Sequence, residues 1–317
     1  MILSMNKKNI VFIGAGNIVT GYNYNMKNCH LRSILDNDSY NILGVIDTDD
    51  FNTDFFIRNS NSIRLNYSDL ENLEVDIIAI CTQTPYHSEI ISNIIKSGAM
   101  PKCIFCEKPF TESLDSAINS FNNLKKLGIG LIIGYQRSFL SNFIQLSKRF
   151  HNNEFGKLLY ADIKYSKGLL NNGSHAIDLL HSIFGNIELD RFGKKFKDYD
   201  SGDKSVEVFF NYKNRSISLI PLDEESFSIF EFDIIFQEKR YRYIDNSFSV
   251  EEYTMTDDPR YPDYKSLMPS NYNETNMTHS IDEMWNQILF MMNSESYFDI
   301  DRATSVHKLR DMLEGKL

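Results

Sequence analysis

Apolar and polar positions follow two rhythms along these 317 residues, and the change falls near residue 135. Before it, short apolar runs recur at residues 9–13 (NIVFI), 41–46 (NILGVI), 75–81 (VDIIAIC), 102–106 (KCIFC) and 130–133 (GLII). Runs of this length with little polar interruption predict strands buried on both faces. Residues 17–35, 87–96 and 113–127 predict helices between them, the second carrying Ile90, Ile91, Ile94 and Ile95 on one side. Strand and helix in turn imply a parallel sheet built from right-handed crossovers. After residue 135, helices over 139–151 and around 175–184 flank a strand at 158–166. Residues 187–254 then read as successive strands, with Asn214, Glu238 and the Asn246–Ser247 pair near their turns. Long strands joined by short turns predict an antiparallel sheet. Residues 257–278 are polar and rich in Pro and Asn, so they read as a loop, and helices at 280–292 and 300–313 close the chain. The expected boundary separates an α/β domain over 1–134 from an α+β domain over 135–317 whose large, mainly antiparallel sheet is open on one face.

Composition narrows the chemistry. A hydrophobic share of 42% and a charged share of 24% are those of a soluble globular protein. The net charge is −10 and no block of Lys and Arg occurs, which argues against nucleic-acid binding, since that affinity is largely phosphate neutralisation. The start, MILSMNKKNIVFIGAG, enters a Gly turn without the apolar stretch and cleavage site of a secretory signal. No run approaches the ~18 apolar residues of a membrane span, so a cytoplasmic protein is expected. Cys103 and Cys106 form a C-x-x-C within a predicted strand. Residues three apart on a strand point to opposite faces, so they read as buried thiols rather than a redox pair. No His, Cys and Asp cluster has metal-ligand spacing.

Residues 13–21, IGAGNIVTG, follow a strand and open a helix. Gly14 and Gly16 let the chain turn tightly and bring bare backbone to a pyrophosphate, with Asn17 and Ile18 at the helix start. Val19 stands at the third glycine position of that fingerprint. Asp47 ends the next strand and suits the hydroxyls of an adenosine ribose. Its charge repels a 2′-phosphate, so NAD is expected rather than NADP. The first domain therefore reads as a Rossmann domain.

Two further segments sit at strand ends: Cys81-Thr82-Gln83-Thr84-Pro85-Tyr86-His87 and Cys106-Glu107-Lys108-Pro109. A third, GLLNNGSHAIDLL, runs from Gly168 to Leu180. In this order and spacing the chain resembles the Gfo/Idh/MocA family, which includes glucose–fructose oxidoreductase and inositol dehydrogenase. The resemblance implies that Lys108 lies near the nicotinamide and hydrogen-bonds the reacting oxygen, and that His175 is the general acid/base. It implies Thr82, Thr84, His87 and Glu107 around the cofactor, although Glu107 could simply pair with a neighbouring charge and His87 could be structural. It also implies a cis bond at Lys108–Pro109, and a substrate held by Lys108, Asn171, Asn172, His175 and Asp178. Asp178 could equally orient other side chains, and His181 reads as structural. Two departures stand out. Asn171 occupies the position where many catalytic members carry Asp, and the loop before Gly168 is short.

The expected activity is NAD(H)-dependent hydride transfer to or from a secondary alcohol of a sugar, cyclitol or nucleotide-sugar, without a metal. A nucleotide-sugar of surface-polysaccharide synthesis is the specific expectation that Asn171 motivates. The alternatives are a dinucleotide-binding sensor that has lost the chemistry, and an NAD(P)H-dependent reductase of a non-sugar carbonyl or imine. The open sheet predicts a homodimer or homotetramer.

Overall fold

A computed structural model describes residues 7–196, 203–223, 225 and 227–316; part of the N-terminal segment read above as no signal lies outside them. The chain forms two compact units, one of the residues up to Gln136 with His279–Lys308, the other of Arg137–Thr278 with Leu309 onward.

In the first unit, β1 (Lys8–Ile13), α1 (Asn17–Thr20), α2 (His30–Leu35), β2 (Tyr40–Ile46), α3 (Asp50–Ser60) and β3 (Ile63–Arg64) come first in the chain. There follow β4 (Ile77–Ile80), α4 (His87–Lys96), β5 (Cys103–Cys106), α5 (Leu114–Lys126) and β6 (Gly130–Ile133). All strand pairs are parallel and the sheet order is β3-β2-β1-β4-β5-β6. Every residue of β4, β5 and β6 is buried, as their unbroken apolar runs require. The expected Rossmann sheet is present. Its four cysteines are free and buried, and burial pushes the Cys103 thiol up to about 12.

Two local features depart from expectation. The helix expected over 17–35 breaks into α1, a 3₁₀ turn at Tyr22–Tyr24 and α2. Gly21 has φ +82°, and Asn23, Tyr24, Met26 and Asn28 all adopt positive φ, which no right-handed helix accommodates. Helix α3 went unread; Asp49 caps it, accepting from the Asn52 amide at 2.8 Å.

The second unit contains α6 (Ser141–His151), β7 (Leu158–Tyr165), α7 (Ser174–Phe184), β8 (Glu188–Lys195), β9 (Val206–Tyr212) and β10 (Arg215–Pro221). It continues through β11 (Phe230–Phe236), β12 (Lys239–Ile244), β13 (Ser249–Asp257) and β14 (Lys265–Glu274); α8 (Ser280–Asn293) and most of α9 (Ile300–Leu313) come next in the chain but group with the first unit. The sheet order is β14-β13-β12-β11-β7-β10-β9-β8, antiparallel except for the β7–β10 pair. On β11 every second residue is buried, so one face is covered. Phe143 of α6 stacks on Tyr243 at 4.4 Å, and Phe184 of α7 meets Tyr212 at 5.4 Å. The opposite face carries charges: Asp162 with Lys164, Asp233 with Arg240, and Arg242 with Glu251.

The loop expected over 257–278 is instead mostly the far strand of a hairpin. The Asp258 carboxylate ties its turn, accepting from the Arg260 amide at 2.8 Å and from the Ser266 hydroxyl. Pro269 is tolerated because β14 is an edge strand and the register shifts beside it. Among the described residues no helix is long and apolar enough to cross a membrane.

Candidate active site

In the first unit the sheet order reverses between β1 and β4, and the carboxyl ends of such strands form a ligand crevice. Gly14 adopts φ +96°, and a Cβ there would lie 2.8 Å from the Cys81 backbone and from Thr82 Cγ2. Glycine is therefore required where the turn meets the β4 loop. At Gly16 the opposite holds: a Cβ would meet nothing within 4 Å, so its backbone faces open space. Asp47 accepts from the Ala15 amide at 2.5 Å and from the Asp49 amide at 2.8 Å, which sets its carboxylate beside the Gly turn. The Thr82 hydroxyl is buried without a partner, so it is available to a ligand in the crevice. Asn17 is exposed and Ile18 half-buried at the start of α1, and Thr84 opens the one-turn helix Thr84–Tyr86. A bare glycine turn, a fixed carboxylate and an orphaned hydroxyl fit a dinucleotide.

Glu107, Lys108 and Pro109 leave the carboxyl end of β5, and the Lys108–Pro109 bond is cis, as the resemblance implied. Glu107 is buried, and its orientation follows from one hydrogen-bond chain. The Trp285 indole, a donor only, gives its N–H to His30 Nδ1 at 3.1 Å. That nitrogen must therefore be unprotonated, which leaves the proton on Nε2, 2.9 Å from Glu107 Oε1. Glu107 Oε2 accepts from the Lys108 amide at 3.2 Å. Both Glu107 carboxyl oxygens are thus held, one by the His30 imidazole and the other by a backbone N–H. Gly134 leaves room for it, since a Cβ there would lie 2.9 Å from Oε1.

His87, expected at the cofactor, is fully buried, with its ring nitrogens 3.1 and 3.0 Å from the carbonyl oxygens of Phe110 and Thr82. It braces the two crevice loops from behind.

In the second unit, Asn171 and Asn172 lie in a π-helical turn, Gly168–Gly173, that leads directly into α7. Such turns recur at functional sites. The Asp203 carboxylate holds this one, accepting from the Leu170 amide at 2.8 Å and the Asn171 amide at 3.0 Å. Gly168, at φ +77°, is required because a Cβ would run into that carboxylate. The Ser174 hydroxyl donates to the Asn171 carbonyl at 2.7 Å. His175 follows, buried, with its ring at 85° to Phe230 and 6.4 Å from it. Asp178, one turn later, is also buried. The structure thus gathers the predicted residues into two sets, one in each unit.

Residues 8–135 match the oxidoreductase family with an NAD-binding Rossmann fold, Gfo/Idh/MocA. The match places the nucleotide-binding region, residues 8–135, with the Gfo/Idh/MocA oxidoreductases. The uncharacterized oxidoreductase YrbE of Bacillus subtilis is 25% identical over 63% of the chain and 66% of its own length. The scyllo-inositol 2-dehydrogenase (NAD(+)) of the same organism is 32% identical over 30% of the chain and 27% of its own length. The alignments thus take in less than two thirds of these relatives. The full fold is matched by an Agrobacterium radiobacter oxidoreductase solved with NAD+, L-tartaric acid and magnesium, at a TM-score of 0.74 and 13% identity, over 98% of the chain and 96% of that one. Beyond the motifs that carry the Gfo/Idh/MocA resemblance, three residues escaped sequence reasoning: His30, Trp285 and Asp203. Trp285, the chain's single tryptophan, was a usable signal; Asp203, far along the chain from the turn it holds, offered none.

Proposed function

We propose that the protein is an NAD(H)-dependent dehydrogenase that transfers hydride between the nicotinamide and a secondary carbinol of a sugar, cyclitol or nucleotide-sugar. The carrying observation is in the first unit, where N–H donors hold both Glu107 carboxyl oxygens directly before Lys108, at the same sheet edge as the Gly14–Gly16 turn and Asp47. Gly14, Gly16 and Thr82 would hold the dinucleotide phosphates and Asp47 the adenosine ribose, with Asp47 favouring NAD over NADP. Bound NAD would supply the hydride acceptor. The Lys108 ammonium would stabilise the alkoxide that develops on the substrate oxygen. His175 would take the hydroxyl proton, a contribution of typically 10²–10⁴-fold, and the Asn171 amide would orient the ring. The relatives named as inositol dehydrogenases support a cyclitol or sugar carbinol; a nucleotide-sugar of surface-polysaccharide synthesis is the narrower proposal.

A screen of cyclitols, sugars and nucleotide-sugars by absorbance at 340 nm tests this, with NAD and NADP compared. The expected result is NAD-dependent turnover that Lys108→Ala abolishes and His175→Ala reduces about 10²-fold or more. NADH binding without turnover on any carbinol would favour a sensor.

The charged open face of the second sheet supports assembly between copies, because alternating carboxylates and guanidinia are self-complementary about a two-fold axis. Light scattering of Arg240→Glu against the parent tests it: the parent elutes as a dimer or tetramer and the variant as a monomer.

A further inference from the structure

Arg137 differs from most arginines of its unit; Arg215 also meets no carboxylate among the described residues, but it is exposed at the start of β10. Arg149, Arg240, Arg242 and Arg260 each meet a carboxylate. Arg137 meets none among the described residues, and its Nε is buried without a hydrogen-bond partner. Its guanidinium carbon lies over an aromatic ring, 3.7 Å from the Phe230 centroid. His175 packs perpendicular to the same ring, centroids 6.4 Å apart. Burial pulls the guanidinium down only to about 10, so it stays charged at neutral pH.

A guanidinium withdrawn from water is costly unless an anion compensates it. A net charge of −10 offers carboxylates throughout this chain, yet none among the described residues is placed here. The Phe230 ring supplies some attraction to the cation, but no hydrogen-bond acceptor. A stacked, pre-oriented guanidinium with unused N–H donors is suited to a planar carboxylate or to phosphate oxygens.

We propose that Arg137, stacked on Phe230 beside His175, is an anion-binding subsite for the substrate, so that the substrate is a sugar-like alcohol bearing a carboxylate or phosphate group. This deepens the proposed function and rests on it for the role of His175. The subsite itself is defined within the second unit and is testable without cofactor. On this account the anionic group binds Arg137, and the carbinol to be oxidised lies toward His175. The substrate would come from chemistry that oxidises or phosphorylates a sugar.

The test is thermal-shift and calorimetric titration of the full chain, without NADH, using D-glucuronate, inorganic phosphate, UDP-glucose and, as the neutral control, myo-inositol. The expected result is binding of at least one anion that weakens about tenfold or more in Arg137→Gln, with part recovered in Arg137→Lys. A hydrogen bond to a charged group is worth this much. Binding of glucuronate alone assigns the subsite to a carboxylate, and binding of UDP-glucose or phosphate assigns it to a phosphoryl group. Arg137→Met separates this role from a structural one. Replacing an uncompensated cation by an apolar chain of similar length should leave the ligand-free melting temperature unchanged or raised, while anion binding is lost. The proposal is overturned if myo-inositol binds as tightly as every anion. It is equally overturned if Arg137→Gln leaves anion affinity intact, or if Arg137→Met lowers the melting temperature with no loss of anion binding. Failure of the parent to bind NADH is a separate result that removes the dehydrogenase reading and leaves the anion titrations to be judged alone.

Discussion

The two segments that carry the proposed chemistry are held in opposite ways. Around Glu107-Lys108-Pro109, support is distributed over three buried histidines from three different elements. His30 donates to the Glu107 side chain, His87 reaches the Phe110 carbonyl, and His307 Nε2 donates to the Thr111 carbonyl at 2.7 Å. The turn before His175 leans instead on one neighbouring segment, where the Asp203 carboxylate receives two consecutive backbone amides and the Lys204 carbonyl receives a third, from Leu169 at 3.0 Å. A mesh of donors from separate elements tolerates the loss of one member. A turn held mainly from one segment has less reserve, and its glycine is fixed by the carboxylate that supports it.

The contrast breaks most readily at Asp203. Asp203→Ala strands the Leu170 and Asn171 amides, and displacement of the turn by about an ångström costs on the order of 10²-fold in turnover. Hydrogen exchange at those two amides should accelerate in parallel, and unchanged exchange would show that the carboxylate is not what holds the turn. Gly168→Ala comes next. It forces a side chain into positive φ and against Asp203, a loss of about 1–3 kcal/mol readable by urea unfolding. In an Asp203→Ala background the same substitution should cost measurably less, because only the φ penalty remains.

On the other side of the comparison, His30→Leu removes one of three braces and one hydrogen bond to a charged group. NADH affinity should fall about tenfold while the fold persists. His30→Gln, which can still donate to Glu107 and accept from Trp285, should bind NADH nearly as the parent does. Equal losses in both variants would mean that packing, rather than hydrogen bonding, is what His30 contributes. The smallest effect is expected at the thiols. Because burial holds Cys103 up near 12 and raises Cys81 and Cys106 as well, native protein at pH 8 should release almost no colour with a disulfide reagent until it is unfolded.

The same division describes what the sequence disclosed. Continuous apolar runs such as IIAI and CIFC leave a buried parallel strand as the natural solution, and the glycine at 14 marks a turn that only glycine makes. The helix expected after that turn failed because single-residue propensity does not register the left-handed residues Asn23, Tyr24, Met26 and Asn28, closed by tertiary packing. Tyr24, for example, donates to Asn52 Oδ1 at 2.7 Å. The β13–β14 hairpin was hidden by its polarity, as an edge strand facing solvent carries no apolar alternation. Lys108 and His175 stood out because they lie in local motifs. Their supports did not, because His30, Trp285 and Asp203 act across long stretches of chain.

The most direct test of the account is a fluorescence titration of the purified chain with NADH, repeated with Lys108→Ala and Asp47→Ala and followed by the carbinol screen at 340 nm. The account predicts saturable NADH binding that weakens sharply in Asp47→Ala and persists in Lys108→Ala, together with NAD-dependent turnover that Lys108→Ala abolishes. An absence of NADH binding, or turnover that survives the loss of Lys108, would contradict it.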